Sequence, residues 1–265
     1  MRIGFIGGGN MAEAIIKGIL SQTSQTTKDI VVSEPREKRK YYLHQHYGLE
    51  TTKSNKDVVS SCNIIILAVK PQDMATVLDE ISASITEEKT VISIAAGIPL
   101  SNISLKLKTK KLKRAMPNTP ALVQEGMTVM SLFECFPDEE IGPIKNIFMS
   151  VGQVLVLPEK YMDAVTALSG SGPAFLAFFI EAMVEGGISI GLKKEDAVEL
   201  AVQTALGTSK LLHAGMSPSA LKEKVTSPGG TTAAGLKVFE EKGLKNIVIE
   251  AIKSAADRAK EMGNK

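Results

Sequence analysis

Ile3-Gly-Phe-Ile-Gly-Gly-Gly-Asn-Met-Ala-Glu-Ala14 joins a short apolar run to a helix-forming one through three consecutive glycines. Gly7 and Gly9, with Ala12 in the third slot, match the G-x-G-x-x-G/A spacing of a dinucleotide-binding turn. The first glycine permits a tight turn, the second lets backbone approach a pyrophosphate, and the small third residue lets helix and strand pack closely. The free N–H groups opening the helix at Asn10 and Met11, with the helix dipole behind them, make an anion site. The spacing by itself also fits a glycine-rich turn in any α/β protein. Its position between a strand and a helix is what points to a dinucleotide.

Outward from this turn, residues 9–20 carry Met11, Ile15, Ile16, Ile19 and Leu20 on one side, the pattern of an amphipathic helix. A polar stretch from Ser21 to Lys28 leads to a strand at Ile30-Val-Val-Ser33. The end of that strand is where an acid reads a ribose diol or a base reads a 2′-phosphate. Glu34 and Arg36 both follow it, and Arg36 beside Ser33 is the better phosphate candidate. The run Lys38 to Lys40 reads as the solvated charge of a surface helix. Ile64 to Val69 is a continuous apolar strand of the kind buried on both faces of a parallel sheet, stopped by Lys70-Pro71. Val91 to Ile94 repeats the pattern, followed by Ala95-Ala-Gly97. Strands are also predicted at Leu112 to Met116, Met127 to Leu132 and Gln153 to Leu157, with a helix from Asp138 to Ser150 between the last two. This alternation predicts an α/β, Rossmann-type doubly wound sheet.

From Tyr161 onward the periodicity is helical throughout. Helices are predicted over 194–213, 218–226, 231–241 and 244–262, and Ala174 to Ile180 is apolar almost all round, so a helix built on it is expected to be buried on every side. Two glycine-rich motifs interrupt these helices, where glycine costs about 1 kcal/mol relative to alanine. Ser169-Gly-Ser-Gly-Pro173 is expected to break or kink the chain before the apolar helix. Ser227-Pro-Gly-Gly-Thr-Thr232 opens another helix, whose N–H groups can bind a small anion and whose Thr231 or Thr232 can cap it. Ordinary helix-to-helix turns are the plainer account of each.

Composition narrows the class. Lys plus Arg number 31 against 29 Asp plus Glu, so no strong net field favours nucleic acid or an anionic membrane. Cys62 and Cys135 lie far apart without a C-x-x-C motif or a histidine-rich neighbourhood, so neither a metal site nor a disulfide framework is expected. No uninterrupted apolar run approaches about 18 residues, and the first strand begins at Ile3, so a cytoplasmic protein with no membrane partner is expected.

The glycine turn, Ala68-Val-Lys-Pro71, Met116-Pro-Asn-Thr-Pro120, Asp163-Ala-Val-Thr166, Leu168-Ser-Gly-Ser-Gly-Pro-Ala174 and Ser227-Pro-Gly-Gly-Thr-Thr232 together resemble pyrroline-5-carboxylate reductase, in order and over essentially the whole chain. The resemblance implies NAD(P)H-dependent reduction of 1-pyrroline-5-carboxylate to L-proline, the last step of proline synthesis. It also implies a Rossmann domain over residues 1–158, then an all-helical dimerisation and substrate domain over 159–265, with dimers that can assemble further. Carried over by position, cofactor contacts fall on Ile6, Gly7, Gly8, Gly9, Asn10, Met11, Ser33, Pro35, Asn55, Ala68, Val69, Lys70, Pro71, Ala95, Ala96 and Gly97. Arg36 is added as the 2′-phosphate donor. Substrate contacts fall on Glu159, Ser227, Gly230, Thr231 and Thr232, and no metal is implied. Glu34 and Arg36 lie where NADH- and NADPH-preferring members vary, and Lys224 stands where some members place an asparagine. NADPH is the expected cofactor, with NADH also accepted.

The chemistry agrees with what the residues lack. Oxidation of an alcohol needs a general base beside the hydroxyl carbon, and related β-hydroxyacid dehydrogenases place a lysine on the long helix of the second domain. Ala174 to Gly191 contains no Lys, His or Asp. A cyclic imine can arrive already protonated, so it needs mainly alignment with the hydride donor and a grip on its carboxylate. Thr232 is the candidate to hydrogen-bond the ring nitrogen, and Thr231 with neighbouring N–H groups to hold the carboxylate. A β-hydroxyacid-type dehydrogenase and a non-catalytic NADP-sensing module are the alternatives. The first lacks its lysine, and the second has no use for two glycine turns among the helices.

Overall fold

The computed structural model describes residues 1–133 and 138–263, the side chains of 138–140 excepted; Cys135 lies outside the described residues. The chain divides into two compact units, Met1–Ser171 with Ala255–Lys265, and Gly172–Ser254.

The first unit begins with β1 (Ile3–Ile6), α1 (Asn10–Gln22), β2 (Ile30–Ser33), α2 (Glu37–Tyr47), β3 (Glu50–Thr52) and α3 (Asn55–Ser61). It continues with β4 (Ile64–Leu67), α4 (Met74–Ile81), β5 (Thr90–Ser93), α5 (Leu100–Ser104) and β6 (Leu112–Met116). Then come β7 (Gly126–Leu132), α6 (Asp138–Met149), β8 (Gly152–Val156) and α7 (Met162–Val165). Eight strands form one sheet in the order β3-β2-β1-β4-β5-β6-β7-β8. All neighbours are parallel except β6 and β7. From β1 the chain works outward to β3, then returns to β4 on the other side of β1. The strand order therefore reverses between β1 and β4, and ligands of open α/β sheets bind in the crevice at the carboxyl ends beside such a reversal.

β1, β2 and β4 are buried at every position, as a parallel sheet covered on both faces requires. Ile3 and Phe5 point to one face, against Ile15, Ile16 and Ile19 of α1 and Phe148 of α6. Ile6, Val31, Ile65 and Leu67 point to the other, against Val58, Leu78, Ile81 and Ile103. Each such side chain contributes about 1.5–3 kcal/mol by burial, against about 0–1 kcal/mol for an exposed ion pair such as Arg2 with Glu50. Apolar burial therefore holds the sheet. The short polar strand β3 and the helix α3 behind it escape the sequence reading, since Glu50-Thr-Thr52 has no apolar run and α3 spans only seven residues.

The second unit contains α8 (Gly172–Ser189), α9 (Lys194–His213), α10 (Pro218–Lys224), α11 (Thr231–Glu241) and the start of α12 (Leu244–Gly263), whose end belongs to the first unit. Ser217 caps α10 by accepting the Ala220 N–H at 3.2 Å, and Phe179 meets Phe239 across the helices at 6.2 Å between ring centroids.

Ser169-Gly-Ser-Gly-Pro173 distorts the chain before the apolar helix, as expected: residues Thr166–Gly170 form one π-helical turn, closed by the Ser171 N–H on the Thr166 carbonyl at 2.9 Å, and a bend at Ser171 precedes α8. The extra residue in the turn is absorbed without a chain reversal. One expectation changes: Ala174 to Ile180 is not buried on every side. No residue of α8 is buried within the chain, and Phe178 is 74% exposed. The continuous helical run Glu159–Ser189 is in fact long and apolar enough by length and composition to cross a membrane. Gly, Ser, Thr and Glu punctuate it, so an uninterrupted apolar count passes over it.

Candidate active site

Every residue assigned to the cofactor falls at the carboxyl edge of the five adjacent strands β3, β2, β1, β4 and β5. Ile6 ends β1, and Gly7, Gly8, Gly9, Asn10 and Met11 form the turn into α1. Ser33 ends β2, with Pro35 and Arg36 in the loop after it, and Asn55 opens α3. Ala68, Val69, Lys70 and Pro71 follow β4, and Ala95, Ala96 and Gly97 follow β5. Backbone hydrogen bonds tie these loops to one another: Gly7 N–H to the Ser33 carbonyl at 2.9 Å, Ala68 N–H to Ile6 at 2.8 Å, and Ile94 N–H to Leu67 at 3.1 Å.

The turn has the form of a pyrophosphate cradle. Gly7 has φ 98°, and a Cβ there would lie 2.6 Å from the Ala68 carbonyl oxygen. A Cβ on Gly9 would meet nothing within 4 Å, so the space above it is open to a ligand. Gly9 is also the N-cap of α1 and supplies no side-chain bond to the first-turn N–H groups, which leaves them for an anion. These features fit a dinucleotide.

Around the turn lies a network that the sequence reading passed over. Arg39, taken for surface charge with Lys38 and Lys40, donates to the carbonyls of Gly8 and Gly9 and to Glu13. Glu13 also accepts from Tyr42 at 3.0 Å and Tyr47 at 2.7 Å. Burial raises the Glu13 carboxyl, but the bonds from Tyr47, Arg39 and Tyr42 outweigh it and hold it below the ordinary carboxylate range. Burial and Glu13 together push the Tyr47 hydroxyl well up. Tyr42, one turn beyond Arg39 on α2 and 5.0 Å from its guanidinium, was the available signal that this face turns inward.

Ser33 and Arg36, read together as candidates for a 2′-phosphate, each have a partner within the chain. The Ser33 hydroxyl is buried and donates to Asn55 Oδ1 at 2.6 Å, while Arg36 forks onto Glu34. The strand pleat accounts for this: Ser33 ends β2 facing α3, and Glu34 turns to the glycine loop, where it accepts the Gly8 N–H at 3.1 Å.

Glu159 follows β8. Its Oε1 accepts the Leu100 N–H at 2.7 Å and lies 3.5 Å from Nη1 of the buried Arg114; Oε2 has no hydrogen-bond partner among the described residues. Glu159 thus steadies the segment after Ala95–Gly97. The far end of α12 closes on the same segment, where a Cβ on Gly97 would lie 3.0 Å from that of Met262. Asn118, after β6, donates to the Ser169 carbonyl at 3.2 Å, tying the Pro117–Pro120 turn to the π-helical one.

The remaining substrate candidates belong to the second unit. Ser227-Pro-Gly-Gly230 is a tight turn closed by the Gly230 N–H on the Ser227 carbonyl at 3.0 Å, with Gly229 at φ 70°. Gly230 is the N-cap of α11 and makes no side-chain cap bond. Neither Thr231 nor Thr232 uses its hydroxyl on a partner among the described residues, so the capping role open to them from sequence is not the one they take here.

Two family models divide the chain: residues 2–97 match one described as NADP oxidoreductase, coenzyme F420-dependent, and residues 159–262 match pyrroline-5-carboxylate reductase dimerisation. A pyrroline-5-carboxylate reductase from Synechocystis is 41% identical over 100% of this chain and 99% of its own length. The chain belongs to the pyrroline-5-carboxylate reductase family. Among solved structures, the family member from Coxiella burnetii superposes with a TM-score of 0.91 at 34% identity, over 98% of both chains. The Plasmodium falciparum pyrroline carboxylate reductase, solved with NADP bound, gives 0.89 at 31% identity, over 99% of this chain and 98% of that one. A Rossmann-type sheet followed by the family's helical dimerisation segment is thus the architecture of this member.

Proposed function

We propose that this chain reduces 1-pyrroline-5-carboxylate to L-proline with NADPH, accepting NADH as well. The observation that carries this is family likeness along the whole chain, with the glycine turn and the dimerisation segment joined in one polypeptide. NAD(P)H supplies a hydride to the imine carbon, and the ring nitrogen keeps or gains one proton. The chain's task is to bind, orient and keep the nitrogen protonated. Thr232 hydrogen-bonds that nitrogen; Thr231, Ser227 and the N–H of Gly230 hold the carboxylate; Glu159 serves through Oε2 while its other oxygen steadies the loop after β5. The lack of Lys, His and Asp between Ala174 and Gly191 supports imine reduction over alcohol oxidation. Loss of NADPH absorbance on adding pyrroline-5-carboxylate, then the same with NADH, tests the assignment. Oxidation with both is expected, faster with NADPH. Inertness toward the imine, or turnover of hydroxy acids instead, would overturn it.

The functional boundary is proposed at 158/159, and the assembly as a homodimer through the helical segment, in the cytoplasm. The buried free thiol of Cys62 suits a reducing compartment. The exposed face of α8 is the surface such a dimer would cover. Phe178→Asp is expected to give monomers at micromolar concentration in sedimentation, because an unpaired carboxylate cannot be buried cheaply. An unchanged dimer would remove α8 from the interface.

A further inference from the structure

At the end of β2 a Rossmann sheet presents either an acid to the ribose diol or a base to a 2′-phosphate. This chain has both, and they are bonded to each other. Arg36 donates from Nε to Glu34 Oε1 at 2.7 Å and from Nη2 to Oε2 at 3.0 Å. The Arg36 backbone N–H adds a bond to Oε1 at 3.0 Å, and the Gly8 N–H one to Oε2 at 3.1 Å. A carboxylate has about four acceptor positions, so none is left for a ribose hydroxyl. The burial is equally one-sided: the Glu34 side chain is 3% exposed and that of Arg36 67%. Arg36 also lines a surface recess with Glu37, Lys38, Arg39 and Tyr42.

We propose that Arg36 sets the nucleotide preference in two ways, by offering its outer N–H groups to the 2′-phosphate of NADPH and by holding Glu34 out of reach of the ribose diol of NADH. The inference rests on the cofactor reading above. Without Arg36 the acid is released beside the ribose, where it attracts a diol and repels a phosphate. Glu34 is therefore a latent NADH determinant, silent while the pair is intact.

Calorimetric titration of NADPH and NADH into the parent, Arg36→Ala, Glu34→Gln and the double variant tests this, with thermal melts as a check on folding. Arg36→Ala is expected to weaken NADPH by about 10–100-fold, the loss of charge-assisted bonds, and to tighten NADH by about threefold or more. Glu34→Gln alone leaves NADH within about twofold, yet in the Arg36→Ala background it abolishes the NADH gain and restores part of the NADPH loss. Should Arg36→Ala melt early, Arg36→Met, which keeps the aliphatic stem, carries the same comparison. Three results overturn the proposal alone: NADH affinity unmoved or lowered by loss of Arg36, NADH weakened by Glu34→Gln in the parent, or equal weakening of both nucleotides by Glu34→Gln. The last would make Glu34 a strut of the Gly8 turn and nothing more. A parent that binds neither nucleotide refutes the cofactor reading, and the inference with it.

Discussion

Thr232→Ala is expected to lower kcat and kcat/KM together by about 10²–10³-fold, the size of effect seen when one hydrogen bond to a reacting centre is removed. NADPH affinity and thermal stability should barely move. An N-cap hydroxyl is worth about 1 kcal/mol of stability, but α11 is capped by Gly230 without any side-chain bond, so there is no cap bond to lose. The tight Ser227–Gly230 turn brings the chain into α11 with the Thr231 and Thr232 hydroxyls free of intramolecular partners among the described residues. Steady-state kinetics beside a melting curve decide the matter. A variant that melts earlier yet turns over at the parent rate would make Thr232 structural, and the proton would then come from water or from the protonated imine itself.

Gly7→Val should weaken NADPH and NADH alike, by about 100-fold or more, because the side chain has nowhere to go. Gly7 sits at φ 98°, and its Cβ would lie 2.6 Å from the carbonyl oxygen of Ala68. That oxygen belongs to backbone fixed by the Ala68 N–H bond to Ile6 at 2.8 Å, so it cannot yield as a side-chain tip would. Relief must come from the turn itself, which moves the free N–H groups opening α1 away from a pyrophosphate. Titration of both nucleotides separates this loss from the selective one at Arg36. Parent-like binding of either would show that the turn does not cradle the cofactor.

How much of this was legible in the sequence follows from what decides each element. The glycine turn, β2 and the helices over 194–213 and 231–241 were readable because local pattern determines them: buried parallel strands need unbroken apolar runs, and helices need a 3.6-residue period. β3 was not, since a three-residue edge strand is specified by its pairing with β2. The exposure of α8 was not, because an all-round apolar pattern says that a helix is to be covered and is silent on whether the same chain does the covering. At the site, position along the strands was readable and side-chain partnership was not. Arg39 and Arg36 look alike in a basic run. One clamps the carbonyls of the glycine turn and the other caps a buried acid, a difference that arises only when α2 folds back over Gly8.

Hydride transfer to a cyclic imine is read from the fate of the hydride. NADPH carrying deuterium at the transferable C4 position is incubated with the enzyme and pyrroline-5-carboxylate, and the product is examined by mass spectrometry and NMR. The expected product is L-proline with one deuterium at C5, the former imine carbon, in step with NADPH consumed. Oxidation of NADPH without labelled proline, or proline carrying no deuterium at C5, would contradict it.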